Sequence, residues 1–229
     1  MRSMNFDSKF SRRDFLKYSG LLAGALILPK DVYQVLRPSA LSQPLTVGSI
    51  YGRMCDGDMG AWREVKTEPN VNAPTVRRIY RDEIVEFRQE VIATSHDLNN
   101  YNQRWVDIGE GFVYSPYIQK TKHKPNIPLQ ALPLDNNGSP GMWVEITVPI
   151  SEAIPSATPV RAFWARSSME YGFRPQMYYN MVMWAHDLRV SEGQTQYLLT
   201  EKYGAEPDSF WVDATACRPI TAEETTPIH

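Results

Sequence analysis

From Leu45 onward the apolar residues fall in short runs broken by turn residues, the pattern of a β-rich chain. Residues 47–54 form a first short apolar segment. Residues 76–80 and 84–87 predict strands around the polar turn Arg81-Asp82-Glu83, and Val91-Ile92-Ala93 extends the second. Alternation in Arg104-Trp105-Val106-Asp107-Ile108 leads through Gly109-Glu110-Gly111 into Phe112-Val113-Tyr114, which reads as a hairpin. Ser115-Pro116-Tyr117-Ile118 then closes the unit as one helical turn. Further strands are predicted at 142–148, 160–164, 178–184, 196–200 and 210–212, with 186–190 continuing the third past a bend.

Two polar stretches interrupt this pattern. Residues 94–104 carry consecutive asparagines and no apolar period, hence a loop. Residues 120–140 are rich in lysine, proline and asparagine and read as a linker, with the prolines able to lie extended against a neighbour. The chain thus divides into an opening segment at 1–44, a first β unit at 45–119, the linker, a second β unit at 141–220 and a tail at 221–229. The two units end alike. Phe112-Val113-Tyr114-Ser115-Pro116-Tyr117-Ile118-Gln119 echoes Trp211-Val212-Asp213-Ala214-Thr215-Ala216-Cys217-Arg218, which suggests duplication of a small β-barrel.

The opening segment has a different pattern. A basic head (residues 1–17) precedes an apolar run at 18–29 and a polar tail at 30–44, the layout of a secretory signal. The apolar run falls short of the roughly 20 residues that span a bilayer. Ser11, Arg12, Arg13, Phe15, Leu16 and Lys17 resemble the twin-arginine export motif at every position of its pattern. The resemblance implies passage through the twin-arginine export machinery to the cell envelope or the exterior. Pro38 stands where a cleavage site near Ala40 wants a small residue, so both release and tethering by an uncut segment stay open.

The full chain carries 24 basic and 26 acidic residues. Seven of the basic and three of the acidic ones precede residue 46, which leaves 17 against 23, a net charge of −6. That balance argues against nucleic acid as a partner, and it places membrane contact in the signal segment alone. Seventeen prolines and thirteen glycines fit a turn-rich β fold. Cys55 and Cys217 read as two buried thiols, although export permits a bridge.

Candidate chemistry is sparse. His96, His123, His186 and His229 show no metal-ligand spacing, Asp56-Gly57-Asp58 lacks the rest of a calcium loop, and no glycine-rich phosphate loop is present. Nothing in the sequence asks for a cofactor or a metal. A Cys217–His186 pair is outweighed by the reading of Cys217 as a core thiol. The aromatic residues hold the promise: Trp105, Tyr114 and Tyr117 in the first unit, and Tyr171, Tyr178, Tyr179 and Trp184 in the second, could present flat faces to a sugar or peptide.

Arg53-Met54-Cys55, Val76-Arg77-Arg78, Asp82-Glu83-Ile84-Val85, Arg104-Trp105-Val106 and Gly111-Phe112-Val113-Tyr114 follow in the order of bacterial Src-homology-3-like domains. With the export signal, the segment Trp143-Val144-Glu145-Ile146-Thr147-Val148-Pro149 and the ending Arg218-Pro219-Ile220-Thr221, the chain resembles the amino-terminal half of exported L,D-transpeptidase-like (YkuD-type) proteins. The resemblance implies a mainly β fold: a signal helix followed by two small Src-homology-3-like barrels in tandem. It implies a module of the cell envelope that binds or targets peptidoglycan. The family's catalytic histidine and Ser-His-Gly-Cys run are absent from this sequence, so no residue is assigned to catalysis. Two other expectations remain: a partial enzyme whose catalytic domain lies outside this chain, and a structural envelope protein without a ligand.

Overall fold

Alternation of apolar and polar residues sorts the described chain into antiparallel strands with one buried face. The computed structural model describes residues 44–56, 60–135, 137–201 and 207–225. The export-signal residues Ser11 to Lys17, and with them the expected signal helix, lie outside these. All described residues belong to one compact unit, 39–229, and its fold is mainly β.

The first lobe holds β1 (Ile50–Met54), β2 (Trp62–Lys66), β3 (Thr75–Tyr80), β4 (Ile84–Glu86), β5 (Gln89–Ile92), β6 (Arg104–Asp107), β7 (Phe112–Tyr114) and β8 (Ile118–Lys122). They form one sheet in the order β4-β1-β8 and another in the order β3-β2-β7-β6-β5. Only Phe87 and Arg88 separate β4 from β5, so one bent segment runs through both sheets. Met54, Val65, Ile79, Val106 and Val113 are fully buried between them. Burial of each such side chain contributes about 1.5–3 kcal/mol. β8 carries this lobe past residue 119, across the start of the linker expected from composition.

The second lobe holds β9 (Met142–Ile146), β10 (Ile150–Pro155), α1 (Phe163–Glu170), β11 (Gln176–Tyr178), β12 (Val182–Ser191), β13 (Gln194–Thr200), β14 (Ser209–Asp213) and β15 (Cys217–Pro219), followed by the single turn α2 (Ala222–Thr225). Its sheet order is β11-β10-β14-β13-β12-β9-β15. With the bent β4–β5 segment standing for β12, this is the strand order of the first lobe. Even the registers agree. Trp62 faces Tyr80 as Ile150 faces Tyr178, and Val106 faces Val113 as Tyr197 faces Val212. Arg53 faces Gln119 as Glu145 faces Arg218.

The turns agree as well. Asp82 and Asn180 both adopt the left-handed conformation, with φ of 65° and 68°, which Asp and Asn tolerate better than most residues. Asp82 N donates to Met54 O and Asn180 N to Ile146 O, each at 2.9 Å. Met54 N donates to Glu83 O and Ile146 N to Met181 O, again at 2.9 Å each. The 3₁₀ turns Ser115–Tyr117 and Ala214–Ala216 occupy matching positions, with Tyr114 and Asp213 entering them at ψ 121° in both cases. The aligned echo seen in the sequence is therefore a strand–3₁₀–strand unit repeated in space.

Matching strands hold different cores. A Cβ on Gly52 would lie 2.5 Å from Ile118 Cγ2 and 3.7 Å from the Phe87 ring. The matching second-lobe positions carry Val144, Cys217 and Ala185. A large residue thus moves from one strand to another while the space stays filled, as close-packed interiors require.

The predicted strand at 160–164 is instead the entry to α1. That segment has no strand partner. Asp208 Oδ2 accepts the amides of Arg161 at 2.8 Å and of Ala162 at 2.5 Å, holding the entry to the helix from a distant loop. Trp164 packs on Phe210 with ring centroids 4.9 Å apart. The predicted strand at 178–184 is split by the Asn180 turn into the end of β11 and the start of β12. The expected bend near 186 is a bulge in β12 between Ala185 and Asp187.

The segment between the lobes is fixed to the second. Lys124 N donates to Thr147 O (2.9 Å), Asn126 N to Thr215 O (2.7 Å) and Leu129 N to Tyr197 Oη (2.7 Å). Leu134 and Pro140 form a bridge just before β9.

Candidate binding groove

In the sheet β3-β2-β7-β6-β5, Val65, Val113 and Val106 face the core. Alternation therefore sends Glu64, Lys66, Tyr114 and Trp105 to the outer face, where Trp105 is nonetheless covered, at 7% exposed, and does not offer the open face expected of it. There they border an open groove of about 680 Å³ together with Asp56, Trp62 and Val71. The Trp105 and Tyr114 rings are 5.7 Å apart, and Tyr117 meets Tyr114 edge-on at 6.0 Å. Tyr114 Oη donates to Asn102 O at 2.8 Å, which anchors the ring to the asparagine-rich loop. Burial raises the pKa of that phenol, helped by Tyr117 and Asp97. A smaller hollow of about 100 Å³ continues past the same two rings, lined by Asn70, Asn100, Asn102 and Gln103.

Charge is paired along the groove wall. Arg63 is ion-paired with Asp56 and lies over the Tyr117 ring at 3.8 Å. Lys66 contacts Glu64 at 2.6 Å and holds that carboxyl below its usual pKa. Arg78 covers one face of Trp62, 3.7 Å from the ring centroid, and Trp62 remains 39% exposed. The groove thus offers aromatic faces, amides and both signs of charge, the equipment for an amide-rich or amphoteric ligand.

The structure brings together three of the seven aromatics singled out in the sequence: Trp105, Tyr114 and Tyr117. The other four lie elsewhere. Tyr178 sits at the seam between the lobes, with the Arg53 guanidinium 3.9 Å above its ring and its hydroxyl 3.5 Å from Asp82. Burial and then the Asp82 charge push that phenol's pKa up. Tyr179 lies beside it and accepts from Gln119 Nε2 through its carbonyl at 3.4 Å. Trp184 packs edge-on against Trp143 at 5.4 Å. Tyr171 caps the end of α1, 59% exposed.

Sequence reasoning missed the β2 side of the groove, Trp62, Arg63, Glu64 and Lys66. The segment Trp62-Arg63-Glu64-Val65-Lys66 gives no period-two signal, since its two apolar residues, Trp62 and Val65, lie on opposite faces. The thiols do not form a bridge; Cys217 is buried and Cys55 partly so. Burial pushes the Cys217 pKa well up, and its Sγ contacts Asp213 O at 3.5 Å. His186 Nε2 meets Ser209 Oγ at 3.3 Å rather than either thiol. Among the described residues no His, Cys, Asp and Glu cluster could hold a metal ion. Nor is any described helix long and apolar enough to cross a membrane.

No family model matches this chain, and no curated protein matches it.

Proposed function

We propose that this chain is an exported, non-catalytic module of the cell envelope in which two Src-homology-3-like barrels stand in tandem and the first binds peptidoglycan. The reading associates it with wall remodelling of the L,D-transpeptidase type. The observation that carries the reading is the groove on the first lobe, where Trp105, Tyr114 and Trp62 meet paired charges and an amide-lined extension. Peptidoglycan offers matching chemistry: acetamido sugars and short peptides bearing both carboxylates and amines. The shared strand order and the paired left-handed turns support the tandem-barrel description. The buried thiol of Cys217 supports a binding role over a nucleophilic one.

Cosedimentation with purified cell wall tests this. The full chain is expected to be retained, and Trp62→Ala and Glu64→Lys to lower retention about tenfold, the loss of roughly 1.4 kcal/mol of contact energy. Retention that survives both substitutions, or is absent in the parent chain, would sink the proposal.

A further inference from the structure

A second surface on the first lobe stands apart from the groove. Alternation along β8 places Lys120 and Lys122 on one side of the strand, and Lys124 continues the series. All three are exposed. Lys120 Nζ lies 4.9 Å from the centroid of the Phe87 ring. Ile50 stands directly opposite Lys122 and is 38% exposed. Val47, 66% exposed, tips the turn just before β1. Gly48 N donates to His123 O at 2.8 Å and His123 N to Ser49 O at 3.3 Å, which pins that turn beside the lysines.

Most arginines of this lobe are spent on ion pairs: Arg53 with Asp82, Arg77 with Glu83 and Glu110, Arg88 with Glu86. Among the described residues, the three lysines form none. The barrel does not need them either. Where Lys120 faces Gly52, the second lobe has Pro219 facing Val144. The net acidity of the chain beyond residue 45 pointed to membrane contact through the signal segment alone, but a local basic strip on an otherwise acidic molecule orients that one side toward an anionic surface.

We propose that the strip Lys120-Lys122-Lys124, with Val47 and Ile50 beside it, seats the first lobe on an anionic lipid surface. The ammonium groups meet lipid phosphates while the two apolar side chains enter the interface. The chain reaches this strip through Pro44 and Thr46, directly after the polar tail that follows the apolar run at 18–29. An uncut signal would therefore hold the strip close to the bilayer that it fits. The inference stands independently of wall binding.

Vesicle flotation of the full chain tests it. Neutral phosphatidylcholine vesicles report the contribution of residues 18–29, which all variants share. Replacing roughly a third of the lipid with phosphatidylglycerol should raise partitioning about 100-fold, near fivefold per lysine. Added salt should erase that gain. Lys→Gln at 120, 122 and 124 together should abolish the gain, and Lys→Arg at the same positions should restore it. Val47→Ser should reduce it several-fold, because a lipid interface rewards an apolar side chain. An undiminished gain in the glutamine variant overturns the proposal. So does indifference to Val47→Ser, which would reduce the contact to charge attraction with no apolar side chain entering the interface. Wall retention unchanged in the glutamine variant would leave the groove reading standing whichever way the vesicles answer.

Discussion

The two lobes repeat one strand order and one set of turn hydrogen bonds, yet they present different outer faces. In the first lobe Trp105, Tyr114 and Tyr117 line up along β6, β7 and the 3₁₀ turn. The register places Gln196, Asp213 and Ala216 at those positions in the second. Lys66 and Trp62 likewise become Ile154 and Ile150. Asp213 is occupied locally, accepting from Thr215 N at 2.9 Å to cap its own turn. The second lobe keeps the frame and has given up the aromatic groove. It has gained α1 in the β10–β11 connection, where the first lobe has only a short loop. The difference separates what the frame requires from what a ligand requires. Buried backbone geometry is retained, while outward positions on the same strands are free to change.

The sharpest way to break the equivalence is at the paired left-handed turns. Arg53 Nη1 lies 2.5 Å from Asp82 Oδ1, with both side chains largely buried. Asp82→Ala strands the guanidinium and is expected to cost about 3–5 kcal/mol. Asn180→Ala at the matching position leaves no charge behind and should cost about 1 kcal/mol, the left-handed penalty alone. Denaturant titration of both variants checks this, and equal losses would contradict the assigned role of the ion pair.

Next comes the exchanged core. Gly52→Val should cost about 1–3 kcal/mol through overpacking against Ile118. Adding Phe87→Ala imitates the second lobe, and the pair should cost less than the sum of the two single losses. A double variant less stable than the sum of the two single ones would refute the compensation.

A smaller effect is expected at the seam. Tyr178→Phe removes the contact with Asp82 and should cost about 1 kcal/mol at neutral pH. The folded state raises this phenol's pKa, so its share of stability is full below about pH 10 and is lost as the pH climbs above that. Thermal melts between about pH 9 and 11, the range around the ordinary tyrosine pKa, should show a shallower decline in the variant. The smallest change concerns Glu224, whose pKa is lowered to about 2 chiefly by its hydrogen bond to Arg218. It is exposed and screened by solvent, so Glu224→Gln should leave the neutral-pH melt where it was. Any stabilisation by this carboxylate is present above about pH 4.5 and lost as the pH falls toward 2.

Much of the fold was legible where strands alternate cleanly. The β6–β7 hairpin and the strand after Gly141 are of this kind, because burial on one face writes a period of two into the sequence. β2 and β10 were not legible, since each has a single fully buried apolar residue, Val65 and Ala153. α1 was read as strand because its start carries no local capping residue, and the carboxylate that holds its entry, Asp208, lies more than forty residues away. The repeat was visible only at its end. There the strand–3₁₀–strand unit is local, whereas the matching turns share only an Asp and an Asn. Half of the groove was visible for the same reason. Trp105, Tyr114 and Tyr117 lie close in sequence, while Trp62 and Glu64 join them through strand pairing that no local pattern records.

The two lobes also close at different moments of synthesis. β1 waits for β8, its partner between Ile118 and Lys122. β9 waits for β15, whose residues Cys217–Pro219 are made long after Ile118–Lys122. The first lobe is therefore complete while the second still exposes an unpaired strand, the kind of edge that invites pairing with other chains. A product cut just before Cys217 would retain a finished first lobe attached to an open, aggregation-prone second one.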